Sequence, residues 1–226
     1  MIKGQREARS RLRFAVLGYM SNILGCPLII PVPSYGGAKA QVIELQRLHE
    51  LRKAGVSVPE VICETKSYFV MREIQGKPID DAIASDTSHS TVLFLRGLQA
   101  ISSVHSKGLC LSQGFARNIL INGEECSFLD FEDDPLEVLT LSQAQARDFL
   151  FYLVSTVWLS GENWPAWRRC WAEFLSKTSP QVRTPIETFT KKFYWMRYLP
   201  KGRKPLGRDA NRLRALAKFL SEESTV

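Results

Sequence analysis

The chain has 226 residues, of which 45% are hydrophobic, and it contains 12 Phe and 5 Trp. This composition supports a packed core and excludes a globally disordered protein. The net charge of +7 and the pI near 9.3 favour anionic partners such as nucleotides, lipid phosphates or nucleic acid, although a solvated basic surface has the same composition.

The cysteines and histidines follow no disulfide or metal-binding pattern. Five cysteines are scattered along the chain without a CxxC pair, and the three histidines form no ligand motif with them. No apolar run reaches the ~18 to 20 residues that a spanning helix needs. We therefore expect reduced thiols and a cytoplasmic protein, which could associate peripherally with the inner membrane surface.

Residues 5–24 combine basic side chains with apolar ones at helical spacing, which predicts an amphipathic helix. Its apolar face could pack on the domain, or the helix could lie at an anionic membrane with its arginines near the headgroups. The letters "ILGC", which end at Cys26, resemble a lipoprotein cleavage site. Ser21 and Asn22 interrupt the apolar run, so we favour an ordinary helix over a cleaved signal.

The chain then continues with a predicted loop, a helix and a hairpin. The loop at 25–37 contains three prolines, and a helix at about 38–54 follows it and ends at Gly55. Two β-rich runs come next, at 61–65 and 68–74. Because only two residues separate these runs, we expect them to pair as a hairpin.

The Gly/Pro-containing segment 75–79 is a candidate boundary between two parts of the chain. Residues 1–75 are expected to form a small mixed part, and residues 76–226 a mostly helical part with one short hairpin in its middle. Apolar residues at helical spacing predict helices in this second part at 91–106, 141–160, 164–177, 181–197 and 208–222. This order of elements predicts an α+β fold.

Two polar residues, Asn118 and Asp130, flank the hairpin of the second part. Asn118 begins an apolar run, Asn122 and Gly123 provide a turn, and the second run leads to Asp130. Pairing of the two strands would place Asn118 and Asp130 side by side. Carboxylate and amide oxygens are hard ligands that suit Mg²⁺, so the spacing predicts a magnesium site.

The region 101–135, with "VHSKG", "ARNILI" and "FLDFEDDP", resembles the atypical bacterial branch of the protein-kinase-like superfamily. It is most similar to the lipopolysaccharide (Kdo and heptose) kinases, and is also similar to InaA-type proteins and the small kinase of the KEOPS complex. Less specific matches extend the resemblance to residues 40–160. The resemblance implies a two-lobed kinase-like fold with an abbreviated N-terminal lobe, and it implies ATP and Mg²⁺ as cofactors.

The resemblance also implies how the cofactors would be bound. Asn118 and Asp130 would hold the magnesium ion. Glu44, on the helix at 38–54, would pair with a lysine that binds the nucleotide phosphates. Lys3 is the preferred lysine, because "MIK" could form a strand of a shortened lobe, and Lys39 is the alternative.

Other positions match supporting features of these kinases. Glu73 lies in the strand and hinge segment that would pass beside the adenine. Asp148, in "AQARDFLFYL", matches a buried helix Asp that braces the catalytic loop. His105 matches the usual end of the preceding helix.

Two departures from the family pattern bear on activity. Gln113 stands where these kinases have a catalytic Asp, and Gln can orient a hydroxyl but cannot accept its proton. The sequence also contains no Gly-rich phosphate loop. The candidate catalytic residues are Gln113 and Asp130. The acids at 132–134 could supply a displaced base or a further metal ligand, or they could form an acidic surface turn.

The segment 191–214 interleaves lysines and arginines with four aromatic residues, Phe193, Tyr194, Trp195 and Tyr198. Such mixing is typical of nucleic-acid binding through stacking and phosphate contacts. An anionic glycolipid or membrane surface would use the same charges. A helix with its aromatic residues in the core would have this pattern as well.

The sequence therefore leaves two main hypotheses for function. The first is an atypical phosphotransferase that moves phosphate from ATP to a hydroxyl of a sugar, lipopolysaccharide or protein. The second is a pseudokinase, a binding or scaffold protein that engages a protein partner and, with or without bound nucleotide, performs no catalysis. A basic adaptor for nucleic acid or a membrane is a third hypothesis, which depends on charge alone.

Overall fold

The protein has an α+β fold that is mostly helical. The computed structural model describes residues 1–4, 25–200 and 205–221, and these contain seven α-helices and two three-stranded antiparallel sheets. The predicted helix at 5–24 lies outside the described residues. None of the helices in the described part is long and apolar enough to cross a membrane.

The first sheet contains strands β1 (Ile2–Gly4), β2 (Val61–Glu64) and β3 (Tyr68–Met71). Their order is β1-β3-β2, and Lys3 lies opposite Phe69. The predicted hairpin of β2 and β3 is confirmed, as is the expectation that "MIK" belongs to a strand. Along β1 the side chain of Lys3 is turned inward, while both neighbouring residues are exposed.

Helix α1 (Gly37–Lys53) is the predicted helix at 38–54 to within one residue at each end. Its buried face contains Leu45, Leu48 and Leu51, which join the main apolar core. The same face buries Glu44. Because this face packs against the rest of the fold, Glu44 cannot extend into bulk water as a surface helix acid would.

The second sheet contains strands β4 (Lys77–Pro78), β5 (Ile119–Asn122) and β6 (Glu125–Phe128), paired in that order. The pairing of β5 with β6 is the predicted hairpin. Strand β4 belongs to the segment predicted as a connector, and it pairs with β5 at the edge of the sheet. Proline is tolerated there because an edge strand need not donate every backbone hydrogen bond.

The remaining helices follow the predicted order with shifts at their ends. They are α2 (Ile79–Ser85), α3 (Ser90–His105), α4 (Leu141–Thr156), α5 (Trp164–Lys177), α6 (Pro180–Phe193) and α7 (Pro205–Ser221). Helix α2 was not predicted, because seven residues are too few to reveal a period. Helix α6 ends four residues earlier than predicted, and a 3₁₀ segment, Tyr194–Tyr198, continues it.

One large cluster of buried apolar side chains extends through both sheets and the helices, and it includes residues on both sides of position 75. Within it the ring of Phe94 stacks on Trp167 with centroids 4.2 Å apart. The hydroxyl of Tyr152 donates to the carbonyl of Phe94 at 3.0 Å. The boundary between residues 1–75 and 76–226 stays a prediction.

Candidate functional site

Three carboxylates converge on the ammonium group of Lys3. Its Nζ donates to Glu44 Oε1 at 2.7 Å and lies 2.9 Å from Glu132 Oε1 and 3.9 Å from Asp130 Oδ1. We call these four residues the lysine cluster. The predicted contact of Lys3 with Glu44 is confirmed, and its role toward a nucleotide stays a prediction.

Burial and charge together set the ionisation of the lysine cluster. Burial alone lowers the pKa of Lys3, but the charge of Glu44 and the hydrogen bonds to Glu44 and Glu132 outweigh it, so the pKa is raised. Burial raises the pKa of Glu44, and Lys3 offsets part of that rise. Lys3 is therefore held as a cation, which is the form that a phosphate group would bind.

Asp130 contributes a carboxylate from an unusual backbone conformation. Its φ of 69° places it in the left-handed region, and it is the one non-glycine residue there among those described. Its Oδ1 is buried and accepts no hydrogen bond in the described part of the chain, although the side chain as a whole is 25% exposed. A strained residue with an unsatisfied buried oxygen is typical of a functional position.

The hairpin places Asn118 beside the segment that leads to Asp130. Asn118 ends a 3₁₀ turn just before β5, and its carbonyl accepts a hydrogen bond from the Leu129 N–H at 2.9 Å. Its Nδ2 donates to the carbonyl of Gln113 at 3.0 Å. With Nδ2 used in this way, Oδ1 is the atom of Asn118 that could ligate a cation.

The residues present fit a magnesium ion only in part. Asp130 Oδ1 and Asn118 Oδ1 are oxygen ligands of the kind that Mg²⁺ takes. Among the described residues, however, no group of three or more His, Cys, Asp or Glu is placed to hold a metal ion. An ion held by Asn118 and Asp130 would therefore need phosphate oxygens and water to complete its coordination.

Gln113 is buried, and its side chain contacts an acid. Its Nε2 donates to Asp133 Oδ2 at 3.4 Å, and Asp133 is buried as well. The interpretation of residues 132–134 as an acidic surface turn is therefore wrong. Glu132 turns toward Lys3, and only Asp134 has a simple structural role, since it caps a 3₁₀ turn by accepting from the Leu136 N–H at 3.0 Å.

The expected contact of the buried Asp148 with the loop that follows α3 is confirmed, and the role of that loop stays a prediction. Asp148 Oδ2 accepts from the Leu111 N–H at 2.7 Å and lies 2.9 Å from His105 Nε2. Burial raises the pKa of Asp148, and the hydrogen bond from His105 offsets part of the rise. Gly114 lies so close that a Cβ there would be 2.8 Å from the Asp148 carbonyl oxygen, so the loop packs directly on α4.

Two residues considered for nucleotide binding lie away from the lysine cluster. Glu73 is exposed in the segment between β3 and β4, and no hydrogen bond or ion pair among the described residues joins it to the cluster. Lys39 is exposed near the start of α1, with its Nζ 3.3 Å from the ring centroid of Tyr35. Lys3 is thus the lysine that meets Glu44.

Sequence reasoning did not assign Glu132 to Lys3. The signal that could have revealed it is the D-x-E spacing of Asp130 and Glu132, which keeps the two carboxylates close together along the chain. A cavity of about 580 Å³ lies between α3 and the β5–β6 turn and shares no residue with the lysine cluster.

Comparisons of the sequence with models of known protein families and with curated proteins give no match. The site is thus described from its own geometry. Lys3, Glu44, Asp130 and Glu132 form one cluster, Asn118 lies next to the Asp130 segment, and Gln113 contacts both Asn118 and Asp133.

Proposed function

We propose that this chain is an atypical kinase-like phosphotransferase that binds ATP with Mg²⁺ at the lysine cluster and transfers phosphate to a hydroxyl group. The finer description of its fold as two-lobed and kinase-like is part of the same proposal. The observation that carries it is the position of Lys3, whose Nζ lies 2.7 Å from a carboxylate oxygen of helix α1 and 3.9 Å from Asp130 Oδ1. Phosphoryl transfer needs such a cation beside a metal-binding acid.

The supporting residues have distinct roles in this proposal. Lys3 binds the phosphates and Glu44 fixes its position through their hydrogen bond. Asn118 and Asp130 hold magnesium, which neutralises charge on the phosphate oxygens when bound. Glu73 belongs to the segment assigned to the adenine.

The reaction requires a group that takes the proton of the attacking hydroxyl. The hydroxyl oxygen bonds to the terminal phosphorus, the bond from that phosphorus to the bridging oxygen breaks, and ADP leaves. Gln113 can orient the hydroxyl but has no basic atom. Asp133, which Gln113 contacts at 3.4 Å, is the nearby carboxylate to which we assign the proton.

A second candidate function is nucleotide binding without catalysis. The observation that favours it is Gln113, which occupies the position of the catalytic Asp in the kinases that the sequence resembles. In this alternative the Gln113–Asp133 contact stabilises the loop, and the protein acts by binding a partner.

The first test is the melting temperature with and without Mg·ATP. A ligand at 100 times its Kd stabilises the folded state by about 2.7 kcal/mol. At the ~2 to 4 °C per kcal/mol typical of a chain of this length, we expect a rise of about 5 to 11 °C that requires magnesium. Asp130→Asn should abolish the rise, and Asp81→Asn, at an exposed position of α2, is the matched control that should keep it.

The second test separates catalysis from binding by measuring ADP release with water or added sugars as acceptors. If Asp133 takes the proton, Asp133→Asn should lower turnover by ~10²-fold or more without lowering the Mg·ATP thermal shift. Gln113→Asp in that background should restore part of the activity. Binding without turnover, including in the Gln113→Asp variant, would favour the second candidate, and the absence of any thermal shift would contradict both.

A further inference from the structure

The 3₁₀ segment after helix α6 exposes three large aromatic side chains. Tyr194, Trp195 and Tyr198 are 40%, 51% and 69% exposed. Phe193 is buried and Met196 packs against the core, so these two residues fix the segment in place. Because the anchoring contacts come from Phe193 and Met196, the exposed rings are not needed to hold the segment on the fold.

Cationic side chains accompany these rings. The guanidinium of Arg197 lies 3.9 Å from the ring centroid of Tyr194 and 4.6 Å from that of Tyr198. Lys191, at the end of α6, is exposed. We call Lys191, Tyr194, Trp195, Arg197 and Tyr198 the aromatic–basic patch.

The charge of the chain is concentrated around this patch in the sequence. Residues 190–214 contain nine of the 30 lysines and arginines and one of the 23 acids, a net charge of eight positive units. The whole chain carries +7, so the other residues together carry no positive excess. A charge imbalance of this size in the sequence segment that contains the exposed aromatic residues indicates an anionic partner.

We propose that the aromatic–basic patch binds the surface of an anionic phospholipid bilayer. Trp and Tyr rings favour the bilayer interface, where the ring is buried at headgroup level and its polar atom stays hydrated. Lysine and arginine at the same depth contact lipid phosphates. The inference concerns a surface separate from the lysine cluster and does not depend on nucleotide binding.

The arrangement of Arg197 favours a bilayer over nucleic acid. Single-stranded nucleic acid binds such surfaces by stacking bases on open ring faces. In the aromatic–basic patch the guanidinium of Arg197 lies over the rings of both Tyr194 and Tyr198 and also donates to the Tyr198 hydroxyl, so one face of each ring is occupied. A bilayer needs only the buried area of the rings and the charge of the guanidinium.

The test is co-sedimentation of the full chain with vesicles of phosphatidylcholine alone and of phosphatidylcholine mixed with phosphatidylglycerol. We expect binding that requires the anionic lipid and falls as salt is raised. Trp195→Ala should lower the partition coefficient on the order of tenfold through lost apolar burial. Arg197→Gln should lower it about fivefold on the anionic vesicles only.

A matched pair of variants distinguishes vesicle binding through the patch from binding through any exposed aromatic ring. Tyr194 and Tyr68, on β3, are 40% and 41% exposed, so Tyr194→Ala and Tyr68→Ala remove the same ring from equally open positions. We expect only Tyr194→Ala to weaken vesicle binding, with the melting temperatures of both variants showing that each is folded.

Three outcomes would overturn the assignment to a bilayer. The first is equal binding to both kinds of vesicle, and the second is an equal loss of vesicle binding in Tyr194→Ala and Tyr68→Ala. The third is displacement of the protein from anionic vesicles by a thymidine oligonucleotide at a concentration below the lipid concentration needed for vesicle binding. The last outcome would assign the patch to nucleic acid.

Discussion

Asp148 and Asp130 both place a carboxylate near the candidate site, but their surroundings differ. Asp148 is fully buried on α4, and its Oδ2 meets the Leu111 N–H and His105. Asp130 is partly exposed, has a left-handed backbone and keeps a buried oxygen without a hydrogen bond in the described residues. The comparison indicates that Asp148 holds the loop in place, whereas Asp130 is positioned to meet a ligand.

The largest expected effect concerns the removal of Asp148. Asp148→Ala leaves His105 and the Leu111 N–H without their partner in a buried site, so we expect the free energy of unfolding to fall by about 3 to 5 kcal/mol. Urea denaturation measures this change. Asp130→Asn should change the same quantity by less than about 1 kcal/mol, and a larger loss there would contradict the assignment of Asp130 to ligand binding.

The close packing of the loop on α4 can be tested at Gly114. A Cβ at this position would lie 2.8 Å from the Asp148 carbonyl oxygen and 3.0 Å from its Cα, and backbone atoms cannot move aside easily. We expect Gly114→Ala to cost about 1 to 3 kcal/mol in urea denaturation. Gly4→Ala is the control, because apart from its chain neighbours no heavy atom of the described residues lies within 4 Å of the added Cβ. Equal stability of the two variants would show that the loop can move away from α4 at little cost, which would contradict close packing at Gly114.

The strained backbone of Asp130 can be measured without its carboxylate. At a φ of 69° glycine is favoured over alanine, so Asp130→Gly should be more stable than Asp130→Ala by about 1 kcal/mol. At Asp81, within helix α2, the order should reverse, with alanine favoured by about 1 kcal/mol. Thermal or urea unfolding of the four variants tests this prediction. The same order of stability for glycine and alanine at both positions would contradict a strained backbone at Asp130.

The smallest expected effect is a change in stability at alkaline pH. The pKa of Lys3 is raised above 10.5 in the folded protein. Its contribution is therefore complete below pH 10.5 and is lost as the pH rises through the folded value. We expect the free energy of unfolding to fall more steeply above pH 10.5 in the wild type than in Lys3→Met. Parallel curves would show that the lysine cluster does not stabilise the charged lysine.

Several features of the fold and of the candidate site could be predicted from the sequence. Helix α1, the β2–β3 and β5–β6 hairpins and the contact of Lys3 with Glu44 were expected from periodicity, turn residues and the family resemblance. The contact of Asp148 with the loop segment was expected from the resemblance as well. The helix and the hairpins depend on patterns within a few neighbouring residues, which is why a single sequence reveals them. The two contacts join residues 41 and 37 positions apart and were expected from the resemblance alone.

The surroundings of the acids after Asp130 could not be predicted in the same way. A run of acids is usually solvated, yet Asp133 is buried against Gln113 and Glu132 meets Lys3, 129 positions earlier in the chain. The pairing of Lys77 and Pro78 with β5 also depends on residues more than forty positions away. Contacts of this kind are decided by packing of the whole chain rather than by local pattern.

The sequence by itself determined the α+β class, the order of most of the described elements and the residues that the proposal assigns to phosphate and magnesium. Periodicity and turn chemistry are sufficient for this, because each acts over a few residues. Only the tertiary structure decided that Asp130 and Glu132 also meet Lys3, which carboxylate Gln113 contacts and which aromatic rings after α6 face solvent. Those outcomes depend on burial. The free energy of placing a charge or an aromatic ring depends on the groups around it, and residues distant in the sequence supply those groups.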